Sequence, residues 1–309
     1  MLDLTLPTLG VGTMTWGQPT GLSRFTPAKL AYGGPESAEQ EANAFRASLE
    51  AGVRLFDTAA MYSNGASERR LGELAENTPA LIASKFPPGM RGSADDLPNA
   101  LAASLDRLRR PTIDLYQHHF PSRRIDIADL MVGMALAVHE GKVRAVGVSN
   151  YSEAQLRLAH RVLADHGVPL ASNQVQYSLL HRNPESDGVL DACRELGVTL
   201  IAYQPLASGA LTGRYLTVRP RGFRRFMPFF RRSGREGVAS VVELLRTIGA
   251  AHDQPPAAVA LRWLMQQKSV LPIPGAKDAE QARNSARALG FELLSGEVDE
   301  LERATRGHR

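Results

Sequence analysis

The chain has 309 residues, 43% hydrophobic and 22% charged, which is ordinary globular usage in a length suited to one large domain and excludes a disordered or fibrous protein. Its 36 Lys and Arg against 32 Asp and Glu leave +4, too mild a balance to imply a nucleic-acid partner despite a pI near 9.4. The single Cys193 excludes an internal disulfide and a thiolate metal cluster; with no leader pattern at the start and no run of about 18 apolar residues, a soluble cytoplasmic protein without an integral membrane segment is expected.

Eight short β-type runs recur along the chain, at residues 9–14, 53–58, 80–85, 113–119, 143–150, 170–177, 198–205 and 270–274. Most are continuous stretches of Val, Ile and Leu, as parallel strands covered on both faces require. Helical patterns lie between them. Ser37-Ala-Glu-Gln40 and Ser152-Glu-Ala-Gln155 read as capping boxes, with Phe45 and Leu49, or Leu156, Ala159 and Leu163, as the buried stripes that follow. Gly52, Gly141, Gly167 and Gly197 each fall between a helix and the next strand, where a residue able to adopt positive φ ends the helix. The repeated β-α order predicts an α/β protein, a single (β/α)8 TIM barrel over residues 1–309, with a doubly wound sheet as the alternative.

The seventh and eighth runs are separated by a much longer stretch than the others, and residues 213–237 read as an insertion. It carries Arg221, Arg224, Arg225, Arg231, Arg232 and Arg235 around Phe226, Met227, Phe229 and Phe230. Three readings fit it: a mobile solvated loop, a cover over an anionic ligand, or a surface that touches anionic lipid.

In such a barrel, chemistry belongs at the carboxyl ends of the strands. The second run ends near Asp57 and continues to Tyr62, the third ends in Lys85, and the fourth ends in His118 and His119. Each residue alone has an ordinary explanation: Asp57 as a helix cap, Lys85 as a solvated cation, Tyr62 as a surface aromatic. Together they suit proton transfer to a carbonyl oxygen. A phenol with a pKa of about 10 needs a cation beside it to become a useful acid at neutral pH, and an ammonium in a dry barrel mouth needs an anion. The pattern does not choose between the histidines, although alternation forbids both from facing the axis.

At these residues the sequence resembles the aldo-keto reductase superfamily over nearly its whole length. The likeness is carried by Leu9-Gly-Val-Gly-Thr-Met14, Phe56-Asp-Thr-Ala59 through Tyr62, Ile113-Asp-Leu-Tyr-Gln-His-His119, Gly147-Val-Ser-Asn150, Ser172-Asn-Gln-Val-Gln-Tyr177 and Ile273-Pro-Gly-Ala-Lys277. Its wording is most similar to the plant-chloroplast and bacterial branch of poorly assigned oxidoreductases. The resemblance implies an NADPH-dependent carbonyl reductase with a tetrad of Asp57, Tyr62, Lys85 and His119. His119 is the histidine followed two residues later by the family's proline, Pro121.

The same resemblance implies an NADP(H) site. Gly12, Thr13 and Met14 would border it, and Ser149, Asn150 and Gln174 would hold the nicotinamide carboxamide, with Tyr203 stacked on the ring. The Ser149–Asn150 pair has a bland alternative as a helix cap. The pyrophosphate would run along Pro205, Leu206, Ser208, Gly209 and Leu211, and the adenosine end would meet Gly275, Ala276, Lys277, Gln281, Asn284 and Ser285. At that end the usual Glu and Asn of relatives are changed. The short amino terminus also departs from the pattern, since relatives close the barrel bottom with a β-hairpin. Trp16, Phe86 and Phe120 follow strand ends and are expected to line the pocket of a small carbonyl substrate. Two other classes are weighed: an NADP(H)-binding regulatory protein with little turnover, and a metal-dependent barrel hydrolase, for which no recognised ligand spacing is present.

Overall fold

The computed structural model describes residues 4–17, 37–87, 93–220 and 222–307. Eight parallel strands stand in chain order around one sheet: β1 (Gly10–Gly12), β2 (Leu55–Asp57), β3 (Leu81–Phe86), β4 (Ile113–His118), β5 (Val143–Ser149), β6 (Leu170–Gln176), β7 (Thr199–Tyr203) and β8 (Val270–Pro272). A doubly wound sheet would reverse its order at a switch point; this one does not. The ring closes through a parallel bridge between Gly12 and Gly275, and Gly12 N–H donates to the Pro274 carbonyl at 3.0 Å. A Cβ on Gly12 would come 3.2 Å from the Ile273 carbonyl oxygen, so the seam is tight.

The helices begin and end where local chemistry directs. Ser37 Oγ accepts from Gln40 N–H to start the helix Ala38–Glu50, and Ser152 and Gln155 cap the helix Glu153–Asp165 reciprocally. Gly52 and Gly141 take φ of 85° and 74° where the chain turns from helix to strand. The Ser152 box and the glycine turns agree with the sequence reading; at Ser37 the bond from Gln40 N–H to the serine is the half of the expected box that is seen.

Period-two alternation builds two layers inside the barrel. Leu55, Ala83, Leu115, Ile201 and Leu271 form a dry inner cluster, on which the partly buried Leu4 and Leu6 pack. These two leucines cover the inner cluster from the amino-terminal segment, without a hairpin among the described residues. Two positions further along three of these strands, the inward residues become Asp57, Lys85 and Gln117. The outward residues pack beneath the helices in the main core.

The insertion is folded, which corrects the reading of a solvated loop. It contains the helix Arg214–Thr217, the 3-10 turns Gly222–Phe226 and Pro228–Phe230, and the first turn of the long helix Arg232–His252. Phe229 and Phe230 pack on the main core, because an aromatic pair has more to gain there than in water. Arg221 and the side chains of Arg232 and Arg235 lie outside the described residues. Among the described residues no helix is long and apolar enough to cross a membrane.

Candidate active site

The carboxyl ends of β2, β3 and β4 bring Asp57, Tyr62, Lys85 and His119 together. Lys85 Nζ is fully buried and lies 2.5 Å from Asp57 Oδ1 and 2.7 Å from the Thr58 carbonyl oxygen. The Tyr62 ring centre lies 5.0 Å from the same ammonium. The His119 ring meets Tyr62 edge-on at 5.6 Å. Tyr62 and His119 line a cleft, while Lys85 sits behind them.

Burial sets the protonation states. It raises the Tyr62 pKa; Lys85 pulls the other way, by charge and by hydrogen bond, and Asp57 adds to the rise. The cation that the sequence reading invoked to acidify the phenol is therefore outweighed by desolvation, and the resting phenol is neutral. For Lys85, burial alone would lower the pKa, but the charges of Asp57 and Tyr62 and the hydrogen bonds to both reverse it, so the ammonium stays charged. His119 is pushed down to about 3 by burial, then by Lys85 and His118, and its imidazole is neutral. His118 faces the other side of the sheet, its Nδ1 2.7 Å from the Tyr151 hydroxyl.

The cleft extends over about 1110 Å³ from the tetrad across the ends of β5 to β8. One part is rich in amides and hydroxyls. Ser149 Oγ donates to the Gln174 carbonyl at 2.8 Å, Asn150 Nδ2 to the His119 carbonyl at 3.1 Å, and Tyr203 OH to Asn150 Oδ1 at 3.0 Å, fixing the Tyr203 ring. The loop after β7 then bends through Ala207, Ser208 and Gly209 at φ of 48°, 58° and 91°. Two consecutive non-glycine residues in the left-handed region cost on the order of 1 kcal/mol each, strain of the kind that gathers at binding sites.

Another part of the cleft is cationic, with Arg214, Arg224 and Arg246 facing it beside Lys277. Burial, Arg224 and Arg214, in that order, bring the Lys277 pKa down to about 8. Arg224 Nη1 donates to the Tyr215 hydroxyl at 2.7 Å, and its guanidinium lies 5.4 Å from the Tyr215 ring centre. Gln281 is drawn into the cap of the helix Ala279–Ala286, bonding Asp278 at 2.7 Å.

Most of the sequence-predicted binding residues line this cleft: Gly12, Met14, Asp57, Ser149, Asn150, Gln174, Tyr203, Pro205, Leu206, Ser208, Gly209, Gly275, Lys277, Gln281, Asn284 and Ser285. Thr13, Leu211 and Ala276 do not; they are buried behind it, Thr13 with its hydroxyl on the Asp57 carbonyl at 2.9 Å. Of the three pocket aromatics, only Phe120 faces the cleft, 39% exposed and stacked 4.6 Å from His119. Trp16 and Phe86 are corrected. Trp16 is buried against Phe56 with its indole N–H on the Ala276 carbonyl at 2.7 Å, and Phe86 points outward beside His118. Sequence reasoning missed Met61, Arg214, Tyr215 and Arg246 as cleft residues; Arg224 belongs to the insertion that one sequence reading made a cover over an anionic ligand, and it faces the cleft. Among the described residues no group of three His, Cys, Asp or Glu side chains is arranged to hold a metal ion.

The Aldo/keto reductase family matches residues 8–306. The chain is 34% identical over 329 residues to the chloroplastic pyridoxal reductase of Arabidopsis thaliana, covering 99% of this chain and 85% of that protein. It is 40% identical over 261 residues to an uncharacterised oxidoreductase of Mycobacterium tuberculosis, covering 84% of this chain and 79% of the relative. Among solved structures, an aldo/keto reductase from Klebsiella pneumoniae in complex with NADP and acetate aligns at a TM-score of 0.76 and 28% identity, over 97% of this chain and 92% of that one.

Proposed function

The chain belongs to the aldo/keto reductase family, and from that premise we propose that it reduces an aldehyde or ketone to an alcohol with NADPH, using Tyr62 as the proton donor. The observation that carries this reading is a neutral, partly buried phenol at the cleft wall, with the Lys85–Asp57 ion pair on one side and a neutral imidazole on the other.

The side chains of the cleft suit the cofactor. The Ser149 hydroxyl and the Asn150 and Gln174 amides match a carboxamide, the Tyr203 ring offers a flat face, and Arg214, Arg224 and Lys277 match phosphate groups. NADPH bound there would supply the hydride that goes to the carbonyl carbon. The Tyr62 O–H gives its proton to the carbonyl oxygen as negative charge develops on it, and Lys85 stabilises the phenolate left behind. Asp57 keeps Lys85 charged. His119, neutral far below pH 7, donates a ring N–H to the carbonyl oxygen and orients it without giving up a proton.

The test is NADPH oxidation, followed by absorbance, with aromatic and aliphatic aldehydes. Pyridoxal belongs in the panel because the Arabidopsis relative is named for it. Tyr62→Phe is expected to lower turnover by about 10²- to 10⁴-fold while NADPH still quenches the protein's fluorescence. Equal turnover by both proteins would remove Tyr62 from the mechanism, and absence of NADPH binding would remove the cofactor.

A further inference from the structure

Lys85 holds one oxygen of Asp57, and the other has partners of its own. Asp57 Oδ2 accepts from Gln174 Nε2 at 2.8 Å and from Gln117 Nε2 at 3.3 Å. Gln174 lines the cleft and is assigned above to the cofactor, so its amide is shared. Gln117 is fully buried and is not among the cleft-lining residues. Asp57 is the ionic group it serves.

The barrel register explains how Gln117 is held. Lys85 pairs with Gln117, Gln117 with Gly147, and Gly147 with Ser172 across β3 to β6. Gly147 has no side chain, and Ser172 reaches across it, placing its hydroxyl 3.3 Å from Gln117 Oε1. A Cβ on Gly147 would come 2.3 Å from Ser172 Oγ and 2.9 Å from Gln117 Cγ, so only glycine leaves room for the contact. A carboxylate only accepts, which obliges Gln117 to turn its NH2 to Asp57 and leaves its oxygen for the Ser172 O–H. A flipped amide would set its oxygen against the Asp57 carboxylate, so Asp57 fixes the amide's sense and Ser172 Oγ takes the oxygen that is left.

We infer that Gln117, oriented by Ser172, is a positioning residue for the reduction, clamping Asp57 Oδ2 so that Oδ1 stays on Lys85. The last torsion of an aspartate is broad and weakly restrained; the Gln174 tie on Oδ2 is shared with the cleft, and Gln117 adds one from inside the barrel that is not. The inference rests on the reading of Tyr62, Lys85 and Asp57 as the proton-donating group.

The experiment compares the native chain with the double variant Gln117→Leu/Ser172→Ala, which removes both buried polar groups together and leaves neither unsatisfied. Two readouts are taken: the pH titration of the Lys85 ammonium by ¹⁵N NMR, which needs no turnover, and kcat with KM and the NADPH dissociation constant. The Lys85 titration is expected to move to lower pH as Asp57 loosens, and kcat to fall about 10- to 100-fold, the worth of a hydrogen bond to a charged group. NADPH affinity should stay within about two-fold, since neither substituted residue lines the cleft. A folded double variant with native Lys85 titration and native kcat overturns the inference. If the native chain reduces no carbonyl, the proposed function fails while the Lys85 titration still decides this point. Should the double variant not fold, Gln117→Met, close in length and without the amide, is measured in the same way; an unchanged Lys85 titration there is equally decisive against it.

Discussion

The Lys85 ammonium lies 5.0 Å from the centre of the Tyr62 ring, and the two groups shift one another in opposite senses. Lys85 lowers the phenol's pKa, while Tyr62 raises that of the ammonium. Burial penalises the charged form of each. The resting state is therefore phenol and ammonium, and under the proposed function phenolate forms only as a carbonyl oxygen beside it takes up the proton.

Removing Lys85 tests how much of this pair is structural. Lys85→Met leaves the Asp57 carboxylate buried without its cation, and the loss of a partner in a buried pair costs about 3–5 kcal/mol. Urea denaturation should show that loss, and Lys85→Met/Asp57→Asn should recover most of it. Equal stability of the single variant and the native chain would mean that Gln117 and Gln174 alone satisfy the carboxylate.

The two adjacent histidines predict an acid limb in stability. In the unfolded chain each binds a proton below about pH 6.5. Folded, His118 and His119 stay neutral until about 4 and about 3, chiefly because burial disfavours the cation. Between these values the unfolded state binds more protons, so stability rises with pH and is lost as pH falls from about 6.5 toward 4. The slope approaches about 1.4 kcal/mol per pH unit for each histidine. His119→Asn should roughly halve it, as read from denaturant midpoints across that range.

The eight strands, the Ser152 cap and the strand-end places of Asp57, Lys85 and the two histidines were legible in the sequence, because apolar runs, capping side chains and polar residues at strand ends are local signals; the choice of His119 came from the family resemblance. Alternation, applied to one more residue, would also have placed Phe86 outward: it is the neighbour of inward Lys85, just as outward His118 is the neighbour of His119. Trp16 was not legible, since the path of the chain beyond β1 depends on the Ala276 carbonyl 260 positions away. The cationic wall depends on how the insertion folds back, with Tyr215 against Phe230 at 5.1 Å, and composition announces the arginines without saying where they point.

Trp16 yields a prediction that separates packing from substrate contact. Trp16→Phe loses the hydrogen bond to Ala276 and part of the contact with Phe56, a loss of about 1–3 kcal/mol. Thermal melting should register it. The KM for an aldehyde should not move, because the indole does not line the cleft; a KM change without loss of stability would return Trp16 to the pocket.

With the cofactor phosphates on the cationic wall, as proposed, cofactor choice is expected to depend on pH. Lys277, at about 8 in the free protein through burial and the neighbouring Arg224 and Arg214, must be protonated to hold a phosphate. An anion bound there raises its pKa, so binding takes up a proton above pH 8, and NADPH affinity is expected to fall as pH rises through that value. NADH, one phosphate poorer, should show a shallower dependence. Arg224→Ala acts twice. It removes a charge-assisted donor, weakening NADPH by about 10- to 100-fold with little effect on NADH. It also relieves Lys277, moving the alkaline loss of affinity to higher pH. Fluorescence titration of both cofactors from pH 6 to 10 measures the two effects separately; equal weakening of NADPH and NADH would place Arg224 against a group the cofactors share, and an unmoved pH profile would uncouple it from Lys277.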